Sequence, residues 1–154
     1  MGGDSTSSRA VVQNAGHAFR MKAQVIKHEF EAATPVPHLL LRCVQALMTQ
    51  MTQTAACNRH HALPQQLCRW LLLSLDRLQD NDLVMTQQLM ANMLCIPLDG
   101  VSAGARDWEN GGMIHFADGR ITVLDRAGLE RLTCECYAVV KSEYDRLLPP
   151  TKAH

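Results

Sequence analysis

The chain has 154 residues, 47% of them apolar and 5% aromatic; this suits one domain, or one domain with an appendage, whose core must come from Leu, Met, Val and Ala. Lys plus Arg balances Asp plus Glu, 15 against 15, which excludes the general pull of a strongly basic protein on a polyanion and leaves only a local basic surface for such a partner. Six cysteines scattered through helical patterns, a polar start and no apolar run near the roughly 18 residues of a membrane span lead to the expectation of a cytoplasmic, reduced, non-membrane protein.

Taken in chain order, Arg9 to Gln13 reads as a short strand, and Ala15 to Glu31 as a helix with Phe19, Ala23, Ile26 and Phe30 on one side. Thr34-Pro-Val-Pro37 is expected to break it, because proline does not fit a helix interior. A long helix follows over His38 to Arg59. In it Leu40, Val44, Leu47, Met51 and Thr54 recur at the 3.5-residue spacing of a seam between two helices. Leu39, Cys43 and Ala46 give a second apolar face. The residues leave open whether the two faces meet a second copy of the chain or pack within one monomer.

Pro64 suits the first turn of the next helix, whose stripe is Leu67, Trp70, Leu71, Leu75 and Leu78. Gln79 to Asp82 is a turn cluster. Thr86 is an N-cap for a short helix over Gln87 to Leu94, with Leu89, Ala91 and Met93 facing inward. Cys95-Ile-Pro97 breaks it, and a weaker helix runs from Asp99 to Asn110 with Val101, Ala105 and Trp108 on its inner face. Gly111-Gly112 stops that helix. Two apolar runs, Met113 to Phe116 and Arg120 to Leu124, flank Ala117-Asp118-Gly119, and Asp-Gly between such runs is a strong hairpin signal. Asp125 to Leu148 reads as one closing helix, stopped by Pro149-Pro150.

Helix, turn, helix and a glycine-stopped hairpin, over about Leu63 to Leu148, is the order of a winged helix-turn-helix. In it one helix props a second that enters the DNA major groove, and the hairpin lies against the backbone. The fold class is mainly α with a small β-wing, a long dimerisation helix preceding the winged domain. Met85-Thr-Gln-Gln-Leu-Met-Ala-Asn-Met-Leu94, Gly112-Met-Ile-His115 and Gly119-Arg-Ile-Thr-Val-Leu-Asp125 resemble the C-terminal domain of the Crp/Fnr family of bacterial transcription regulators. Cys57-Asn-Arg-His-His61, Gln66 to Leu73 and Cys134 to Val140 resemble one proteobacterial branch of it. Ala10 to Gln13 and Gly16 to Arg20 resemble the end of that branch's sensor barrel.

The resemblance implies four regions: residues 1–32 as a polar tail and sensor-barrel remnant, 33–61 as the dimerisation helix, 62–149 as the DNA-binding domain, and 150–154 as a tail. It implies a homodimer, with Leu40, Val44, Leu47, Met51 and Thr54 at its interface, bound to double-stranded DNA. The family's glycine-rich phosphate cassette has no counterpart here, so no cyclic nucleotide and no cofactor is expected. The family's turn carries Gly where Cys95 stands. Its recognition helix carries arginines and a glutamate where Pro97, Leu98, Asp99 and Ala103 stand, so sequence specificity is expected to be weak. The DNA-contact set is then Thr86, Gln87, Gln88, Leu98, Asp99, Ser102, Arg106 and Arg120.

No phosphate loop, nucleophile elbow or metalloprotease run is present, and no enzyme activity is expected. No metal is expected either. Cys57, His60 and His61 lie at a helix end without a second matching pair, and Cys134 and Cys136, two apart on one helix, point to different sides. The leading expectation is a DNA-binding transcription regulator without an effector. The alternatives are an interaction protein that heterodimerises with a full-length relative without binding DNA, and a degenerate remnant.

Overall fold

In the computed structural model, residues 10–12, 16–32, 34–78 and 80–149 are described. The first regular element is α1 (Ala23–Glu31), which buries none of its residues. The expected earlier start does not form: Gly16 to Lys22 is irregular, Phe19 is fully exposed, and Ala15 lies outside the described residues. Ala10 to Val12 is not a strand, while Arg9 and Gln13 lie outside the described residues. Without a neighbouring strand, a few apolar residues have no ladder to join.

The long helix, α2 (Pro35–His60), begins earlier than expected. Pro35 and Pro37 sit in its first turn, where an N–H would have no partner, and the Thr34 side chain caps it by accepting from the Val36 N–H at 3.3 Å. The prolines therefore belong to the start of this helix, and the break from α1 falls just before them, where Ala32 is a turn and Thr34 is extended. Ala46 and Cys57 are its buried residues, and this side packs chiefly on the last helix of the chain.

The core is organised by α3 (Leu63–Leu75), which buries Leu67, Cys68, Leu71, Leu72, Leu73 and Leu75. Fully burying a leucine is worth roughly 1.5–3 kcal/mol, so this helix is the anchor of the domain. After it comes β1 (Asp82–Val84), in place of the end of the expected turn cluster. Next are α4 (Gln87–Leu94) and α5 (Leu98–Asn110). The hairpin of β2 (Ile114–Ala117) and β3 (Arg120–Val123) follows. The sheet has the order β1-β3-β2, all antiparallel. Leu83, Ile114, Ile121 and Val123 point from its inner face to the core. Asp118 and Gly119 link the hairpin with φ of 51° and 70°. Both central residues in the left-handed region is the tight hairpin turn that Asp-Gly favours.

The expected closing helix is two helices, α6 (Arg126–Leu132) and α7 (Glu135–Leu147). Thr133 and Cys134 between them are extended, with ψ of 167° at each. This corrects the reading of Cys134 and Cys136 as residues on opposite sides of one helix. Cys134 is the N-cap of α7, outside its helical turns, and both thiols are buried on the same side, against Cys57. A polar junction braces the break. Arg126 binds the Asp76 carboxylate, Glu130 at 2.9 Å and the Tyr137 hydroxyl at 2.8 Å. Burial pushes the Tyr137 hydroxyl up to about 12, the nearby Asp76 carboxylate adding to the shift and Arg126 opposing it.

Candidate nucleic-acid interface

The helix-turn-helix is α4, a three-residue turn and α5. Thr86 caps α4, its hydroxyl accepting from the Leu89 N–H at 3.1 Å. The small Ala91, 3% exposed, lies buried in the core beside α5 as expected for the prop. Cys95 ends α4 in the left-handed region, φ 54° and ψ 43°, while the N–H groups of Cys95 and Ile96 both return to the Ala91 carbonyl. A side chain there is strained, and glycine removes the strain. Cys95→Gly should raise the unfolding free energy by about 1 kcal/mol, read as a higher urea midpoint at unchanged slope.

Val101, Gly104, Ala105 and Trp108 turn α5 toward the core. Gly104 permits this approach: a Cβ there would stand 3.0 Å from Leu67 Cδ1. The opposite face presents Leu98, Asp99, Ala103, Arg106 and Asp107 to solvent. Arg106 is the one cation on α5, against Asp99, Asp107 and Glu109. Glu109 is engaged with the hairpin, accepting from the Phe116 N–H at 3.0 Å and lying 3.3 Å from His115 Nδ1.

The structure brings some of the expected contact residues together. Ser102 donates to Gln87 Oε1 at 2.6 Å, locking α5 to the start of α4. Thr86 lies against the hairpin turn, since a Cβ on Gly119 would be 3.4 Å from its methyl, and the Met85 N–H donates to the Gly119 carbonyl at 2.7 Å. Gln88 is exposed and donates to Asn92 on its own helix at 3.0 Å. Arg120 is exposed on the wing but paired with Asp82 at 3.3 Å. Among the described residues, Arg106 pairs with no carboxylate. Sequence reasoning missed Asp82 as a restraint on Arg120, because the β1–β3 pairing that aligns them cannot be read locally.

Charge across the unit is unfavourable for a polyanion. Residues 62–149 hold eight Lys and Arg against twelve Asp and Glu, a net charge of −4.

On α2, Leu41, Val44, Leu47, Met48 and Met51 are between 43% and 70% exposed and form an apolar stripe away from α7. Of the expected seam, Val44, Leu47 and Met51 lie on this stripe. Leu40 is half-buried, and so is Thr54, whose hydroxyl donates to the Gln50 carbonyl at 2.7 Å and accepts from Arg69 at 3.1 Å. No helix among the described residues is long and apolar enough to cross a membrane.

Comparison with known proteins agrees with this architecture. The profile of the Crp-like helix-turn-helix domain matches residues 65–132. No curated protein matches the chain. Among solved structures, a CRP-family transcriptional regulator from Thermus thermophilus is similar with a TM-score of 0.51 at 20% identity, over 72% of this chain and 54% of that one. The catabolite activator protein of Thermus thermophilus is similar with a TM-score of 0.40 at 17% identity, over 76% of this chain and 48% of that one. The chain thus spans about half the length of the regulators it resembles. Residues 65–132, which hold α4, α5 and the hairpin between α3 and α6, are a Crp-like helix-turn-helix domain.

Proposed function

We propose that the chain binds double-stranded DNA as a homodimer and regulates transcription, with weak or altered sequence specificity and without cyclic nucleotide. The observation that carries this reading is the Crp-like domain itself, with α5 exposed along one face beside a two-stranded wing. In this reading α5 enters the major groove. Leu98 meets a thymine methyl there, and Asp99 accepts from a cytosine amino group. The start of α4, with Thr86, Gln87 and Gln88, meets backbone phosphate. Ser102 orients the Gln87 amide, and Arg120 on the wing must leave Asp82 to reach phosphate. The apolar stripe of α2 forms the dimer seam.

The test is fluorescence anisotropy on random duplexes and on pools enriched by selection, across a salt series. A steep fall in affinity with salt and an enriched palindrome support the reading, and a folded dimer that binds no duplex at low salt sinks it. Arg106 sits near the middle of α5, beyond the turns that face base edges, and acts as a phosphate contact. Arg106→Ala should therefore weaken all duplexes alike and reduce the salt slope by about 0.9 per protomer.

The acidic balance of residues 62–149 favours a second reading, an interaction protein that pairs with a full-length relative through α2 and blocks it. Heterodimer formation without duplex binding would select it. A remnant would show neither.

A further inference from the structure

Where the end of α2 meets the α6–α7 junction, four side chains from two distant segments converge. Cys57 Sγ lies 3.5 Å from Cys134 Sγ, and Cys136 Sγ lies 3.7 Å from His61 Nδ1. The three sulfurs and a ring nitrogen of His61 are all within 4.8 Å of one another. Cys57, Cys134 and Cys136 are buried and form a cluster of their own, apart from the main core. We propose that Cys57, His61, Cys134 and Cys136 are the four ligands of a single zinc ion, a closed Cys3His site that fastens the long helix to the DNA-binding domain.

The spacing suits tetrahedral coordination of one ion. Bonds of about 2.3 Å to sulfur and about 2.0–2.1 Å to nitrogen set ligand edges of roughly 3.6–3.8 Å, close to the two observed contacts. Four ligands this close fit one ion, whereas thiolates around a multi-iron cluster stand further apart. The surroundings fit as well. His61 Nε2 is 3.2 Å from Glu135 Oε1, which fixes the ring so that Nδ1 turns to the sulfurs. A carboxylate on the outer nitrogen is the usual support of a metal-bound imidazole. Arg69 is 2% exposed, acts electrostatically on Cys57, and has an Nε with no hydrogen-bond partner among the described residues. A buried cation lacking a carboxylate needs a counter-charge. Zinc with three thiolates and a neutral imidazole supplies it, carrying a net charge of −1 by valence. Cys68, nearby and equally buried, donates its thiol proton to the Leu129 carbonyl at 3.0 Å and stays outside the set, as does the exposed His60.

On binding, each of the three thiols gives its proton to solvent, three bonds form from sulfur to zinc and one from Nδ1, and no electron is transferred. Because Cys57 and His61 belong to the end of α2 and the following link while Cys134 and Cys136 flank the start of α7, the ion closes the seam between those elements.

The test uses the whole chain, purified under reducing conditions. Elemental analysis should find one zinc per chain. Cobalt added to the stripped chain should give the intense visible bands of a tetrahedral ion and a thiolate charge-transfer band in the near ultraviolet. Cys57→Ser and His61→Ala should change that spectrum, and Glu135→Gln should lower zinc affinity about 10–100-fold. Cys43→Ser and Cys95→Ser should leave both untouched. Should the ligand variants fail to fold, the stoichiometry and cobalt spectrum of the unaltered chain decide alone. A chain that takes up no zinc at micromolar concentration, a weakly absorbing octahedral cobalt form, or a Cys57–Cys134 disulfide in freshly purified metal-free protein overturns the proposal.

Discussion

Leu47→Asp combined with Met51→Asp should abolish self-association without unfolding the protomer. Both side chains are at least half exposed, at 50% and 70%, so neither charge is buried in the isolated chain. The opposite side of α2 is held independently, by Ala46 and Cys57 within the protomer and by the bond from Gln45 to Glu143 on α7 at 3.3 Å. In a dimer the four new carboxylates would face one another in an apolar seam, where an unpaired charge costs several kcal/mol. Sedimentation at tens of micromolar should show a dimer for the parent and a monomer for the variant, with unchanged thermal unfolding of the monomer. Duplex affinity should fall with it, because two linked half-sites gain about 10²–10⁴ over one. An unchanged dimer would place the interface elsewhere and leave the stripe Val44, Leu47 and Met51 without this role.

What could be read in the sequence depended on whether the deciding interaction was local. The Thr86 cap, the inward Val101, Ala105 and Trp108, and the Asp118-Gly119 turn are each set within a few residues, and each is where the sequence placed it. The three-residue strand β1 is too short to show a period of two, and it exists because Leu83 pairs with Ile121 across the sheet. Pro35 and Pro37 read locally as a break because the same residue starts a helix or ends one, depending on which turn it occupies. The α6–α7 break has neither Pro nor Gly to announce it. Thr133 and Cys134 leave the helical region where Arg126, Asp76 and Tyr137 knit the two helices to α3.

The cysteine cluster shows the same limit. Cys57 and His61 are four apart, which stacks them on one helical face, and that was the available signal. Their partners lie 77 residues on from Cys57 and 75 from His61, and only the packing of α2 on α7 joins the pairs. The solvent face of α5 was legible for the opposite reason: its residues are defined by what the core does not take. The state of Arg120 on the wing was not, because its pairing with Asp82 is a tertiary fact.

Trp108→Ala should be the most damaging single change in the helix-turn-helix. Trp108 is 3% exposed and packs in the main core with the α3 leucines. Removing so large a buried side chain costs about 3–5 kcal/mol, through lost burial and the cavity left behind. Domains are stable by only about 5–15 kcal/mol, so much of the native margin would go. Thermal unfolding should drop by about 10 °C or more. On the solvent side of the same helix, Leu98→Ala should change stability by no more than about 0.5 kcal/mol, since Leu98 is 39% exposed. Its effect should fall on duplex binding instead. The pair therefore separates the packing of α5 through its tryptophan from the DNA contact proposed for its opposite face. Equal loss of stability in both variants would mean that the helix packs in solution with both faces covered, and the exposed face could not then be the one offered to DNA.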